Sequence, residues 1–328
     1  MLHIAPSKLS DIQAPISERL DRVIDEFRRI VVSDFDRVEE INEYLLQVRG
    51  KLFRPSLLLL CNEVGDNPSA EAETLGAVVE LIHLATLVHD DAVDHSVLRR
   101  GMPTVNSMWS HQVAIIMGDY LYSRSVAELG RLGRIEPIQI LAAASNAMSV
   151  GELRQLSSTE ALDFTEADYD LLIEAKTASL MSAACELGAL VGDPARRAPL
   201  ARYGRELGMA FQIADDLLDY TSEASVTGKP AGLDLREHKV TLPLIAVLPT
   251  LSAQERAMLE EFFRDPEPSD DAITAIIQLV RERGGLDYAK SRARAFAQRA
   301  ADALDELPDG PTLQSLRDSI TYVVERRR

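Results

Sequence analysis

The sequence predicts an all-α protein of roughly a dozen helices forming one domain over residues 1–328. Two observations carry this. Apolar residues recur three and four positions apart through most of the chain, and no stretch sustains the alternation of a strand. The interruptions are short clusters of Gly and Pro, too brief and too varied for a domain linker, and there is no internal repeat. A length of 328 residues would ordinarily suggest about two domains, yet a helical chain of this size can be built on one continuous core. With 46% hydrophobic and 27% charged residues, there is enough apolar material for it.

In order along the chain, "ISERLDRVIDEFRRIV" and "VEEINEYLLQVR" read as amphipathic helices. Further helices are expected at 69–91, 110–130, 136–157, 166–191 and 198–220, with shorter ones to the C-terminus. The breaks between elements are "GDNPSA", "RRGMPT", "VGDPA", "TSEASVTGKPAGLD", "RDPEPSDD" and "ELPDGPT". Cys61 and Cys185 sit in apolar segments and read as buried thiols rather than a disulfide framework.

A net charge of −17 excludes a general nucleic-acid surface, so any phosphate chemistry must be local. The opening "MLHIAPSKLSDIQAPI" lacks a basic region followed by an apolar one, and no charge-free apolar run reaches about 18 residues. The expectation is a cytoplasmic protein with no integral membrane contact.

Against that background, "LVHDDAVDHSVLRRGMPT" crowds Asp90, Asp91 and Asp94 onto the end of a long apolar helix. Asp90 and Asp94, four apart, share a face. A lone DDxxD is more often a solvated helix end. Here it recurs: "LGMAFQIADDLLDY" runs a second apolar helix into Asp215, Asp216 and Asp219 with the same spacing. Two such ends facing across a cavity would gather hard oxygen ligands, which suit Mg2+ completed by water and substrate phosphates. Cations recur beside both motifs: Lys51, Arg54, Arg99, Arg100, Lys176, Lys229 and Lys239. Each alone reads as a surface charge, but the set implies more than one polyanionic group.

From "GKLFRPSLLLL" to "GLDLREHKVTLPLI", through "HDDAVDHSVLRRGMPT", "GDYL", "GELRQL", "KTASL" and "QIADDLLDY", the chain resembles the trans-isoprenyl diphosphate synthases, or polyprenyl synthetases. The resemblance covers about two-thirds of the chain, in the family's order. It implies an isoprenoid-synthase bundle around a central cavity, a homodimer, and head-to-tail condensation of isopentenyl diphosphate onto an allylic diphosphate. By resemblance, Asp90 and Asp94 hold two Mg2+ ions and Asp215 a third, while Asp91, Asp216 and Asp219 act behind them. Arg99, Lys176, Lys229 and Lys239 bind the allylic diphosphate. Lys51, Arg54, His83 and Arg100 bind isopentenyl diphosphate, and Thr177 and Gln212 lie near the allylic cation.

Product length is read from the turn before the first motif. Ala85 and Thr86 lie one turn below Asp90, where the family uses large aromatic residues to stop the chain early. Small residues leave the tunnel open, so a product of about C30 or longer is expected, with geranylgeranyl diphosphate as the alternative if Met148 or Met117 closes it first. A class I terpene cyclase is a further alternative, and some similar long-chain synthases need a small second subunit.

His83, His89 and His95 are six apart and do not share a helical face, which argues against a histidine metal site. "ELIH" matches a di-iron element, but the second copy such a site requires is missing. Two positions depart from the family: His238 stands where Gly commonly precedes the last lysine, and Leu233 where a small residue is common. Both fall in the loop expected to close over substrate. The apolar face of 110–127 is expected to be buried between subunits.

Overall fold

A computed structural model describes residues 8–47, 50–65, 68–99, 101–156, 161–221 and 232–325. Its helices are α1 (Leu9–Gln13), α2 (Ser17–Val31), α3 (Asp36–Gln47), α4 (Phe53–Glu63), α5 (Glu71–Val93), α6 (Val105–Met108), α7 (His111–Leu132) and α8 (Ile135–Leu156). Then come α9 (Glu166–Ile173), α10 (Ser179–Val191), α11 (Arg197–Thr221), α12 (Leu233–Arg236), α13 (Leu242–Ile245), α14 (Ala253–Arg264), α15 (Asp270–Glu282), α16 (Gly285–Leu304) and α17 (Pro311–Glu325). The all-α expectation holds, and the five longer helices expected from periodicity lie within two residues of their predicted outer limits.

Two local differences matter for the site. The helix expected over 166–191 is interrupted by a π-helical turn at Glu174–Ala178, where the Ser179 amide donates to the Glu174 carbonyl. One extra residue per turn leaves the apolar periodicity on both sides intact, so the sequence pattern passes over it. Such turns recur at functional sites, and this one carries Lys176 and Thr177. A small antiparallel hairpin, Leu98–Arg99 with Met102–Pro103, spans the start of the break "RRGMPT", with Gly101 at φ +78°.

The core lies where the most uniformly apolar helices meet. α10 packs between α4 and α11, α11 also lies along α16, and α5 lies along α7. Close approach requires glycine: a Cβ on Gly188 would stand 2.2 Å from the Leu58 carbonyl oxygen. α5 is long and apolar enough to cross a membrane by composition, but 67% of that stretch is buried inside the protein. The chain therefore surrounds α5 on most sides, and its C-terminal turn, like that of α11, opens toward a cavity. The carbonyl end of a helix disfavours anions, so carboxylates placed there need cations to compensate them.

Candidate active site

The first motif occupies the last turn of α5, with Asp94 as its C-cap donating its amide to the Asp90 carbonyl. Asp90 is half-buried, and loss of hydration raises its carboxyl to about 6, against the pull of Lys176 and Arg99. Asp91 is buried and faces elsewhere: Arg99 Nε donates to both its oxygens at 2.8 and 2.9 Å. Its role is to hold the hairpin that carries Arg99.

The second motif sorts itself in the same way. Asp216 is buried, with Oδ1 accepting from Gln212 Nε2 at 2.8 Å and Oδ2 from the Tyr169 hydroxyl at 2.5 Å. Asp219 accepts the Leu233 and Asp234 amides at 3.0 and 3.1 Å, capping α12. Asp215 is the exposed member of the three. The two sides meet across a cavity of about 490 Å³ lined by Asp94, Lys176, Thr177, Gln212, Asp216 and Lys239 among others. Lys239 Nζ, hydrogen-bonded to Glu237 at 2.7 Å, lies 3.7 Å from Asp94 Oδ2 and so links the second motif's loop to the first motif.

Thr177 donates to Gln212 Oε1 at 2.8 Å, so a chain runs from Thr177 through Gln212 and Asp216 to Tyr169. Because the Gln212 amide nitrogen is taken by Asp216, its oxygen must receive the Thr177 proton. That leaves the hydroxyl lone pairs of Thr177 as its remaining polar capacity. Lys176 pairs with Glu152 and donates to Gln155 Oε1 at 2.9 Å.

No three of His, Cys, Asp and Glu converge as a metal cage among the described residues. The donors fit a hard divalent cation that takes one or two carboxylates from each wall and the rest of its shell from water and a phosphate ligand.

A match to the polyprenyl synthetase family spans residues 35–280. The chain belongs to the polyprenyl synthetase family. It is a prenyltransferase of that family, and its fold and motifs agree. It is 36% identical over 321 residues to all-trans-nonaprenyl-diphosphate synthase (geranyl-diphosphate specific) of Rhodobacter capsulatus, covering 96% of this chain and 97% of that one. It is 33% identical to heptaprenyl diphosphate synthase component 2 of Geobacillus stearothermophilus, over 97% and 99%. The structure of a Caulobacter crescentus polyprenyl synthase complexed with calcium and isoprenyl diphosphate superposes with a TM-score of 0.93 at 31% identity, over 99% and 100%.

Among the other residues singled out in this synthetase, Arg99 and His83 line a second, small cavity of about 50 Å³ with Gly50, Glu80 and Asp91. Arg99 thus stands at this cavity rather than among the residues lining the larger one. Lys51 is exposed next to Gly50, and Arg54 is half-buried in the first turn of α4. Gln13 fixes this segment by donating to the Lys51 carbonyl at 2.9 Å and to Ser56 Oγ at 2.8 Å. Ala85 and Thr86 line a third cavity, of about 420 Å³, with Ile82, Tyr122 and Met148. Met148 shares it, whereas Met117 is buried and absent from its lining. Arg100 and Lys229 lie outside the described residues.

Four residues of the site were not singled out in the sequence, although Glu152 and Gln155 lie in "GELRQL" and Asp234 in "GLDLREHKVTLPLI": Tyr169, Asp234, Glu152 and Gln155. Tyr169 is seven positions before Lys176, two turns away on the same face, but a tyrosine on an apolar face reads as core. Asp234 lines the large cavity, and burial, reinforced by Asp216 and Asp219, raises its carboxyl. Burial likewise raises Asp216, against its two hydrogen bonds.

These shifts carry a stability prediction. A carboxyl whose folded-state value lies above the unfolded value of about 3.9 favours folding while protonated, and that contribution is lost as pH rises through the folded value. The metal-free protein should therefore melt at lower temperature near pH 8 than near pH 5, with the loss beginning at about pH 4 and running through Asp90's value of about 6. Divalent cation plus inorganic diphosphate should recover the loss at the higher pH. Scanning calorimetry at the two values checks this, and equal melting temperatures would contradict it.

Proposed function

We propose that the chain adds isopentenyl diphosphate units head-to-tail to an allylic diphosphate such as farnesyl or geranylgeranyl diphosphate, giving an all-trans polyprenyl diphosphate of C30 or longer. The observation that carries it is the pair of aspartate-ended helices facing one cavity, with Lys176 and Lys239 between them. Asp90, Asp94 and Asp215, of which Asp94 lines this cavity, would hold Mg2+ between the two helix ends, three ions with substrate bound. When bound, the metal neutralises the charge that grows on the departing diphosphate.

The chain's own groups do the rest. Lys176 and Lys239 bind the allylic diphosphate, with Lys229 joining them. Heterolysis of the allylic C–O bond leaves a cation, toward which the oriented Thr177 hydroxyl oxygen presents a dipole and no nucleophilic anion. Isopentenyl diphosphate is bound by Lys51, Arg54, His83 and Arg100, of which His83 lines the smaller cavity together with Arg99. Its double bond attacks the cation, and a C2 proton passes to the diphosphate just released, so no dedicated protein base is needed. Apolar walls exclude the water that would quench the cation. The product grows into the cavity beneath Ala85 and Thr86.

Two assembly proposals accompany this. Ile115, Ile116 and Val126 of α7 stand 42%, 65% and 47% exposed in the single chain, an apolar stripe suited to burial in a homodimer. A small accessory subunit is the second, prompted by the relative named as a component 2.

The test is incubation of purified protein with Mg2+, farnesyl diphosphate and labelled isopentenyl diphosphate, with products sized by mass spectrometry. A ladder ending at C30 or above is expected. A stop at C20 would make it a geranylgeranyl diphosphate synthase, and consumption of the allylic substrate without isopentenyl incorporation would indicate a cyclase. No turnover until a partner is added would indicate the accessory subunit.

A further inference from the structure

His238 has a backbone that explains why glycine suits its position. α12 ends in a Schellman turn: the His238 amide donates to the Leu235 carbonyl at 3.0 Å and the Lys239 amide to the Asp234 carbonyl at 2.7 Å. The residue between helix end and Lys239 must then be left-handed, and His238 has φ +55°. A non-glycine residue there is strained, although His tolerates it better than most. The turn aims Lys239 across the cavity at Asp94.

The imidazole supplies a contact that glycine has no means of making. Nε2 lies 2.8 Å from the Asp265 carbonyl oxygen, which only accepts, so Nε2 carries the proton and donates. The ring also packs on Phe262 and Phe263, with centroids 6.2 and 5.8 Å away. Two residues earlier, Arg236 pairs with Asp270 and donates to the Pro268 carbonyl. The segment that carries Lys239 is therefore tied from behind to the end of α14 and the connection to α15, while Asp219 caps its front.

We propose that His238 is a positioning residue: its imidazole anchors the Lys239 turn to the Phe262–Asp265 corner, holding the turn against Asp94 before substrate arrives. The inference rests on the reading of Lys239 as an allylic diphosphate ligand. A preset lysine spares the diphosphate the ordering of the loop, so the anchor acts on binding rather than on the chemical step.

His238→Gly removes the anchor while relieving the backbone, and His238→Asn keeps a residue that tolerates the left-handed turn but whose amide nitrogen reaches no farther than Nδ1. Hydrogen exchange of the ligand-free, full-length protein should speed up in 233–241 by about fivefold in both variants, the scale of one hydrogen bond. The KM for farnesyl diphosphate should rise by a similar factor, with kcat within twofold and the KM for isopentenyl diphosphate unchanged. Exchange unaltered in this segment overturns the anchor. Faster exchange with KM unmoved overturns its link to Lys239. A wild-type chain that incorporates no isopentenyl diphosphate, yet whose variants show faster exchange, leaves the anchor standing and removes the synthase reading alone.

Discussion

Asp90→Asn should cost about a thousandfold in kcat while leaving the protein as stable as before or more so, because a group that stabilises charge developing in the transition state is worth roughly that much. The stability half follows from the same burial. Loss of hydration raises the Asp90 carboxyl to about 6, so near neutral pH the folded, metal-free protein holds an ionised carboxylate where it would prefer a neutral group. An amide of the same shape removes that cost, as expected where function is maintained against stability. Tyr169→Phe is the informative contrast. It removes one of the two side-chain hydrogen bonds that hold Asp216 at the wall of the large cavity, so roughly a tenfold loss is expected, with Asp216 still held by Gln212. Steady-state kinetics and melting curves on both variants check this, and a mild kinetic effect at Asp90 would remove it from the metal-binding set.

Ala85→Phe should shorten the product by several isoprene units while isopentenyl incorporation continues. Ala85 is 2% exposed on α5 and lines the 420 Å³ cavity with Thr86, one turn below Asp90. A phenyl ring there projects into the space the growing chain must enter. Overpacking a buried position costs about 1–3 kcal/mol, which the adjacent cavity reduces by offering the ring room. Because the substitution lies below the metal face, turnover of the first condensations should survive. Mass spectrometry of the products decides it: an unchanged ladder would show that the chain takes another path, and Met148, which shares the cavity, would be the next residue to substitute.

The spacing of Asp90 and Asp94, and its recurrence at Asp215 and Asp219, was visible because a helix turns four-residue spacing into adjacency without further information. The same is true of the all-α class, since periodicity is a local property that packing only has to honour. The division of labour inside each motif was not local. Asp91 turns to Arg99 and Asp216 to Tyr169, partners brought there by a hairpin and by α9, and nothing in DDxxD marks which carboxylate will be spent on holding its neighbours.

The π turn at Glu174–Ala178 was hidden because one extra residue leaves the surrounding apolar pattern unbroken. His238 was visible as a departure, but its left-handed backbone and its contact with the Asp265 carbonyl arise only when α12 ends beside α14. By itself, then, the sequence determined the fold class, the carboxylate and cation inventory, and the order in which they occur, because these depend on residue type and short spacing. Only the tertiary structure decided which of those charges face the cavity and which brace it, because that depends on contacts between segments far apart in the chain.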